Sequence, residues 1–99
     1  NDFLRALGIC YHARASALEL ASRNILVNAI APGLIDTPLL RNLTPERMAA
    51  QLALQPTGKA GRPEDVAHAV SFLVSAQTDF ITGQVIFVDG GKSLGGSGA

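Results

Sequence analysis

Few side chains in this 99-residue sequence have the type and spacing that chemistry requires. Tyr11 and His12 stand side by side, a phenol and an imidazole that together could relay a proton. The simpler account packs Tyr11 on a sheet and leaves His12 in water. Cys10 is the single cysteine and reads as a buried structural thiol. His68 falls opposite the apolar face of its helix and reads as a surface residue. Asp36 and Asp89 could be imagined as paired carboxylates, but one sits in a loop and the other ends a strand, where capping a turn suits both. Arg62 just before a helix start opposes the helix dipole, so a carboxylate partner elsewhere in the fold, in a structural ion pair, is expected. The stronger candidate is Thr37, a hydroxyl that can donate or accept, following Pro32-Gly33. Gly33 has no side chain, so backbone N–H groups in such a turn can approach a ligand closely. No metal site is expected.

Periodicity indicates the elements that would hold these residues. Residues 3–22 read as a helix, with Phe3, Leu7, Cys10, Tyr11, Leu18 and Leu20 as apolar bulk among helix-favouring alanines. Ser22-Arg23-Asn24 closes it. Residues 25–31 form a nearly continuous apolar run, the mark of a strand buried on both faces of a parallel sheet. Pro32-Gly33 stops that strand, and a loop runs through Leu40. Thr44 then caps a short helix over 45–54, with Pro45 at its first position and Met48, Leu52 and Leu54 as apolar members. Pro56, Gly58 and Gly61 punctuate a second loop. Pro63 opens a stronger helix over 63–76, with Glu64 and Asp65 in its first turn and Val66, Ala69, Val70, Leu73 and Val74 on one face. A second apolar strand follows at 84–88, ended by Asp89-Gly90-Gly91, and residues 93–99 are a Gly/Ser-rich tail expected to be flexible.

Composition excludes several classes. Hydrophobic residues make up 47% against 16% charged, which supports a core and argues against disorder. Eight basic side chains balance eight acidic ones, so no excess charge exists to hold a nucleic-acid backbone. No apolar run approaches membrane-spanning length, and one cysteine fits a reducing, cytoplasmic setting. Two short strands joined through helices form a parallel pair. A run as apolar as 25–31 is unsuited to an exposed edge, so the chain reads as the end of a larger α/β sheet.

Five blocks carry a family resemblance over about residues 16–92. They are Ala17-Leu18-Glu19-Leu20-Ala21, Asn28-Ala29-Ile30-Ala31-Pro32-Gly33 with Thr37 shortly after, Gly61-Arg62-Pro63-Glu64-Asp65, Phe80-Ile81-Thr82-Gly83, and Val88-Asp89-Gly90-Gly91. In this order they resemble the C-terminal portion of a short-chain dehydrogenase/reductase of the 3-oxoacyl-(acyl-carrier-protein) reductase type. The resemblance implies the last two strands and flanking helices of a Rossmann-type doubly wound parallel sheet, with ligands beyond the C-terminal strand ends. It implies an NAD or NADP cofactor touched by Pro32, Gly33, Ile35 and Thr37. It makes residues 39–54 a substrate lid, with Leu39, Leu40, Leu43 and Met48 selecting an apolar carbonyl or alcohol. It also implies a homo-oligomer through helix 63–76 and strand 84–88.

The resemblance supplies no catalytic residue. Family members use a Tyr, a Lys four residues later and an upstream Ser. Counting back from Pro32-Gly33 places the Tyr at Asp2 and the Lys at Ala6, and Tyr11 is followed at that spacing by Ala15. The Gly-rich phosphate loop is also missing from the sequence. Residues 1–13 match poorly and residues from Ser16 match well, so a junction near Arg14, such as a reading-frame change, is expected. Two readings follow: the C-terminal part of an NAD(P)-dependent oxidoreductase that is inactive alone, or a non-catalytic oligomerisation or interaction module derived from that family.

Overall fold

Proline begins three helices in this chain, at the position where a missing N–H costs nothing. These are α2 (Pro38–Arg41), α3 (Pro45–Ala53) and α4 (Pro63–Val74). The computed structural model describes residues 12–95. It opens with helix α1 over 12–20, continued by a 3-10 turn, Ala21–Arg23, that stops at Asn24 in the left-handed conformation. Strands β1 (Ala29–Pro32) and β2 (Val85–Val88) pair with each other. Ala29 N–H donates to the Gln84 carbonyl at 2.9 Å and Gly33 N–H to the Val88 carbonyl at 3.0 Å. Both bonds share one sequence offset, so the pairing is parallel and the fold is α/β, part of a Rossmann-type sheet.

The chain divides into two units. Among the described residues, one comprises 12–31 and Ala69–Ile86, the other Pro32–His68 and 87–95. In the first, Ala13 and Ala17 lie one turn apart on α1 and are its buried apolar residues among those described. Gly83, at φ +75°, lies against this face, and a Cβ there would come within 3.3 Å of the Ala17 methyl. Asn28 fixes the same region, its Nδ2 donating to the Ile81 carbonyl and its Oδ1 accepting from Gln84 N–H. In the second unit the buried residues among those described are Leu40 and Gln55. Thr44 caps α3, its Oγ1 accepting from Arg47 N–H at 3.2 Å.

Several elements differ from the sequence expectation. The strand expected over 25–31 begins only at Ala29, and it includes Pro32. Before Ala29 the backbone is met by a turn instead of a ladder: Val27 N–H donates to Thr82 Oγ1, and Gly83 N–H returns to the Val27 carbonyl. Ile25 and Leu26, expected to be covered, are exposed. The loop expected through Leu40 contains α2, started by Pro38 after an extended Thr37. Helix 63–76 ends at Val74, and strand 84–88 begins at Val85 because Gln84 N–H turns to the Asn28 side chain. Ser93 and Leu94 of the expected tail belong to a 3-10 turn, Lys92–Leu94. The expected helix over 3–11, with Cys10 and Tyr11, lies outside the described residues. Among the described residues no helix is long and apolar enough to cross a membrane.

Candidate functional site

The loop after β1 is held by backbone bonds that alternate along it. Gly33 N–H is used by Val88, and Leu34 N–H by the Gln55 side chain. Gly61 N–H donates to the Leu34 carbonyl and Asp36 N–H to the Gly61 carbonyl, both at 2.8 Å, making an isolated parallel bridge at Ile35. A parallel bridge turns the atoms of successive residues to opposite sides. Among the described residues, the N–H groups of Ile35 and Thr37 accordingly have no acceptor. Thr37 itself is half-buried, in extended conformation at the start of α2. The loop thus holds two backbone donors without an internal acceptor, two residues apart, and a hydroxyl, a set suited to a neutral carbonyl or a phosphate oxygen.

Gly33 is required for a different reason than the sequence suggests. A Cβ there would stand 2.5 Å from Gln55 Oε1 and 2.7 Å from the Asp89 Cα. The bare Cα therefore makes room for the protein itself, and its N–H is already engaged by Val88. Gln55 is the site residue that sequence reasoning missed. Its neighbours Pro56 and Gly58 mark a loop, yet Gln55 is only 2% exposed. Its partner Leu34 lies 21 residues earlier, so no local spacing signals the contact.

The lid residues occupy unlike environments. Leu39 is exposed, Leu43 and Met48 are half-buried, and Leu40 is buried in the unit's own packing. Asp36 does not pair with Asp89. It meets Arg41 at 3.2 Å and ties the loop to α2, while Asp89 caps its own turn by accepting from Gly91 and Ser93 N–H. Arg62 has the expected carboxylate partner, found locally: its guanidinium meets Asp65 at 2.9 Å, and its N–H donates to the same side chain. Hydrogen bonds from the Arg62 side chain and then its backbone hold the Asp65 carboxyl down at about 2, and Asp65 raises the Arg62 pKa. His12 and His68 are exposed. No group of three or more His, Cys, Asp or Glu that could hold a metal gathers among the described residues.

Residues 7–93 match the family model described as enoyl-(acyl carrier protein) reductase. The chain is 44% identical over 84 residues to the 3-oxoacyl-(acyl-carrier-protein) reductase FabG of Thermotoga maritima, covering 85% of this chain and 34% of that protein. It is 45% identical over 87 residues to the hydroxy(phenyl)methylsuccinyl-CoA dehydrogenase subunit BbsD of Thauera aromatica, covering 88% and 35%. It is 46% identical over 89 residues to 3beta-hydroxysteroid dehydrogenase 1 of Eggerthella lenta, covering 88% and 34%. The chain spans about a third of the length of these curated relatives. With five sequence blocks, a parallel β1–β2 pair and a family match across nearly all of it, this chain belongs to the short-chain dehydrogenase/reductase family, in its 3-oxoacyl-(acyl-carrier-protein) reductase-like branch.

Proposed function

We propose that the chain forms the cofactor-facing and lid-bearing part of an NAD(P)-dependent oxidoreductase acting on an apolar carbonyl or alcohol. The observation that carries this reading is the pattern over 33–37, in which the N–H groups of Gly33, Leu34 and Asp36 are used internally while those of Ile35 and Thr37 have no acceptor among the described residues. A carboxamide such as that of nicotinamide offers the acceptor these donors lack, and the Thr37 hydroxyl suits a phosphate oxygen. Pro32 and Gly33 contribute by fixing the backbone that leads into them. NADH or NADPH, when bound, supplies the hydride; this chain binds, orients and excludes water. Leu39, Leu43 and Met48 face the substrate, and Leu40 anchors α2 beneath them. The relatives are named for acyl-carrier-protein, CoA-linked and steroid substrates, which fits a lid that selects an apolar body rather than one headgroup.

The positions expected for the Tyr and Lys hold Asp2 and Ala6, so the proton must come from outside these 99 residues and the chain alone does not turn over. Its setting is cytoplasmic. It associates with copies of itself through 63–76 and 84–88, where Phe72, Val74 and Phe87 are exposed. The test mixes the chain with the N-terminal two thirds of the Thermotoga maritima reductase, NADPH and a 3-oxoacyl thioester. Oxidation of NADPH is expected in the mixture and in neither component alone. Turnover by the chain alone would overturn its inactivity, and no oxidation in the mixture would favour a non-catalytic module.

A further inference from the structure

We propose that Gln55 is a positioning residue that sets the backbone of the 33–37 loop, and with it the aim of the Ile35 and Thr37 donors; the proposal rests on reading that loop as the cofactor site. Gln55 is the buried polar side chain among the described residues, and both ends of its amide are used. Oε1 accepts from Leu34 N–H, and Nε2 donates to the Lys59 carbonyl. The backbone of Gln55 belongs to the same arrangement, since its N–H donates to the Leu52 carbonyl and its carbonyl accepts from Gly58 N–H at 2.7 Å. One side chain therefore joins the end of α3, the turn through 55–59 and the loop after β1. Leu34 is its point of action: the Leu34 N–H is held by Gln55, and the Leu34 carbonyl is held by Gly61. The Gln55 bond fixes the Gly33–Leu34 peptide and the Gly61 bond fixes the Leu34–Ile35 peptide; with Leu34 held on both sides, the Ile35 N–H, anti to the Leu34 carbonyl, has one orientation. Gly33 completes the contact, because Oε1 occupies the space a Cβ would need.

An amide is the group that this geometry asks for. It needs an acceptor toward Leu34 and a donor toward Lys59, and leaving either backbone group unpaired in this partly buried place is unfavourable. Leucine fills the space and supplies neither. An ionised glutamate keeps the acceptor but sets an oxygen against the Lys59 carbonyl, and burial favours its neutral form. Once protonated, the acid regains a donor and copies the amide. Gln55→Glu is thus a version of the contact switched by protons, which separates positioning from mere filling.

The experiment follows amide resonances of the 99-residue chain by NMR while NAD+ and NADP+ are titrated in separate series at about pH 5 and about pH 8. In the wild type the Ile35 and Thr37 amides shift with dinucleotide at both pH values. In Gln55→Leu, Leu34 N–H exchange is expected to speed up at least about tenfold and dinucleotide affinity to fall about tenfold, the scale of one lost hydrogen bond. Gln55→Glu binds weakly at pH 8 and recovers toward wild type at pH 5. The Gly83 amide, bonded to Val27 in the other unit, reports whether a variant is folded. If Gln55→Leu loses Gly83 protection, the pH recovery of Gln55→Glu decides. Unchanged Leu34 protection and affinity in both variants would overturn the role of Gln55 while leaving the cofactor reading intact. Absence of any dinucleotide-induced shift at Ile35 and Thr37 in the wild type would overturn the cofactor reading and the proposal with it.

Discussion

Asp65 accepts from both the backbone and the side chain of Arg62, and its carboxyl is held at about 2 against an ordinary 3.8. A depressed carboxyl stabilises the folded state above its unfolded value, and that contribution disappears as pH falls through the folded one. Asp65→Asn should therefore unfold at lower temperature than wild type at pH 7, with the gap closing between about pH 4 and pH 2. Thermal melts across that range, with direct titration of the Asp65 carboxyl, check this; a gap independent of pH would refute it. Arg62's need for a carboxylate was legible from its place before a helix, because a cation there is unfavourable alone. That the partner lies three residues on, within the first turn, depends on side-chain geometry. Gly33 illustrates the opposite case. Its type pointed to a close approach, but what approaches is Gln55, a contact no local pattern encodes. Gly33→Ala should destabilise by about 1–3 kcal/mol in denaturant titration, since Gln55 and the Asp89 backbone must both move. A change of a few tenths would mean that the loop yields freely.

Among the elements, helices were legible in proportion to how local their causes are. α3 and α4 announce themselves through Thr44, Pro45, Pro63 and the acids that follow, all within one turn of the helix start. α2 was missed because it is four residues long and carries no apolar period, only a proline. Strand limits were less legible, since a ladder needs a partner. Residues 25–28 have strand composition, yet across from them stands the Thr82-Gly83 turn, which meets them through one backbone bond, Gly83 N–H to the Val27 carbonyl, and otherwise through side chains. Asn28 makes the change, bonding Ile81 and Gln84 through both ends of its amide at 3.1 and 3.0 Å. Asn28→Ala leaves a carbonyl and an N–H without these partners and should cost about 2–3 kcal/mol in denaturant titration. The Gln84 amide should lose exchange protection in the same variant. Retained protection would show that the strand entrance is set by Val27 and Gly83 alone.

At the scale of the molecule, the first unit carries apolar side chains that its own elements do not cover. Leu18 is 83% exposed, Val74 74% and Phe80 99%, and an open groove of about 210 Å3 is lined by Leu26, Ile30, Val70 and Leu73 together with Asn28 and Val74. Exposed apolar area of this kind favours association. Charge does not oppose it, because eight acidic and eight basic side chains leave no net repulsion at pH 7. The chain should therefore sediment at pH 7 with a mass above that of one 99-residue chain, rising with concentration. Replacing Val74 and Phe80 by serine should shift the equilibrium toward monomer. Leu94→Ser is the control: Leu94 is equally exposed but stands in the other unit, apart from the groove residues in sequence. An equal effect of Leu94→Ser would mean that association is unspecific collapse. A strictly monomeric chain at every concentration would exclude a second copy as the cover, and the N-terminal segment of a relative would then be the occupant to test.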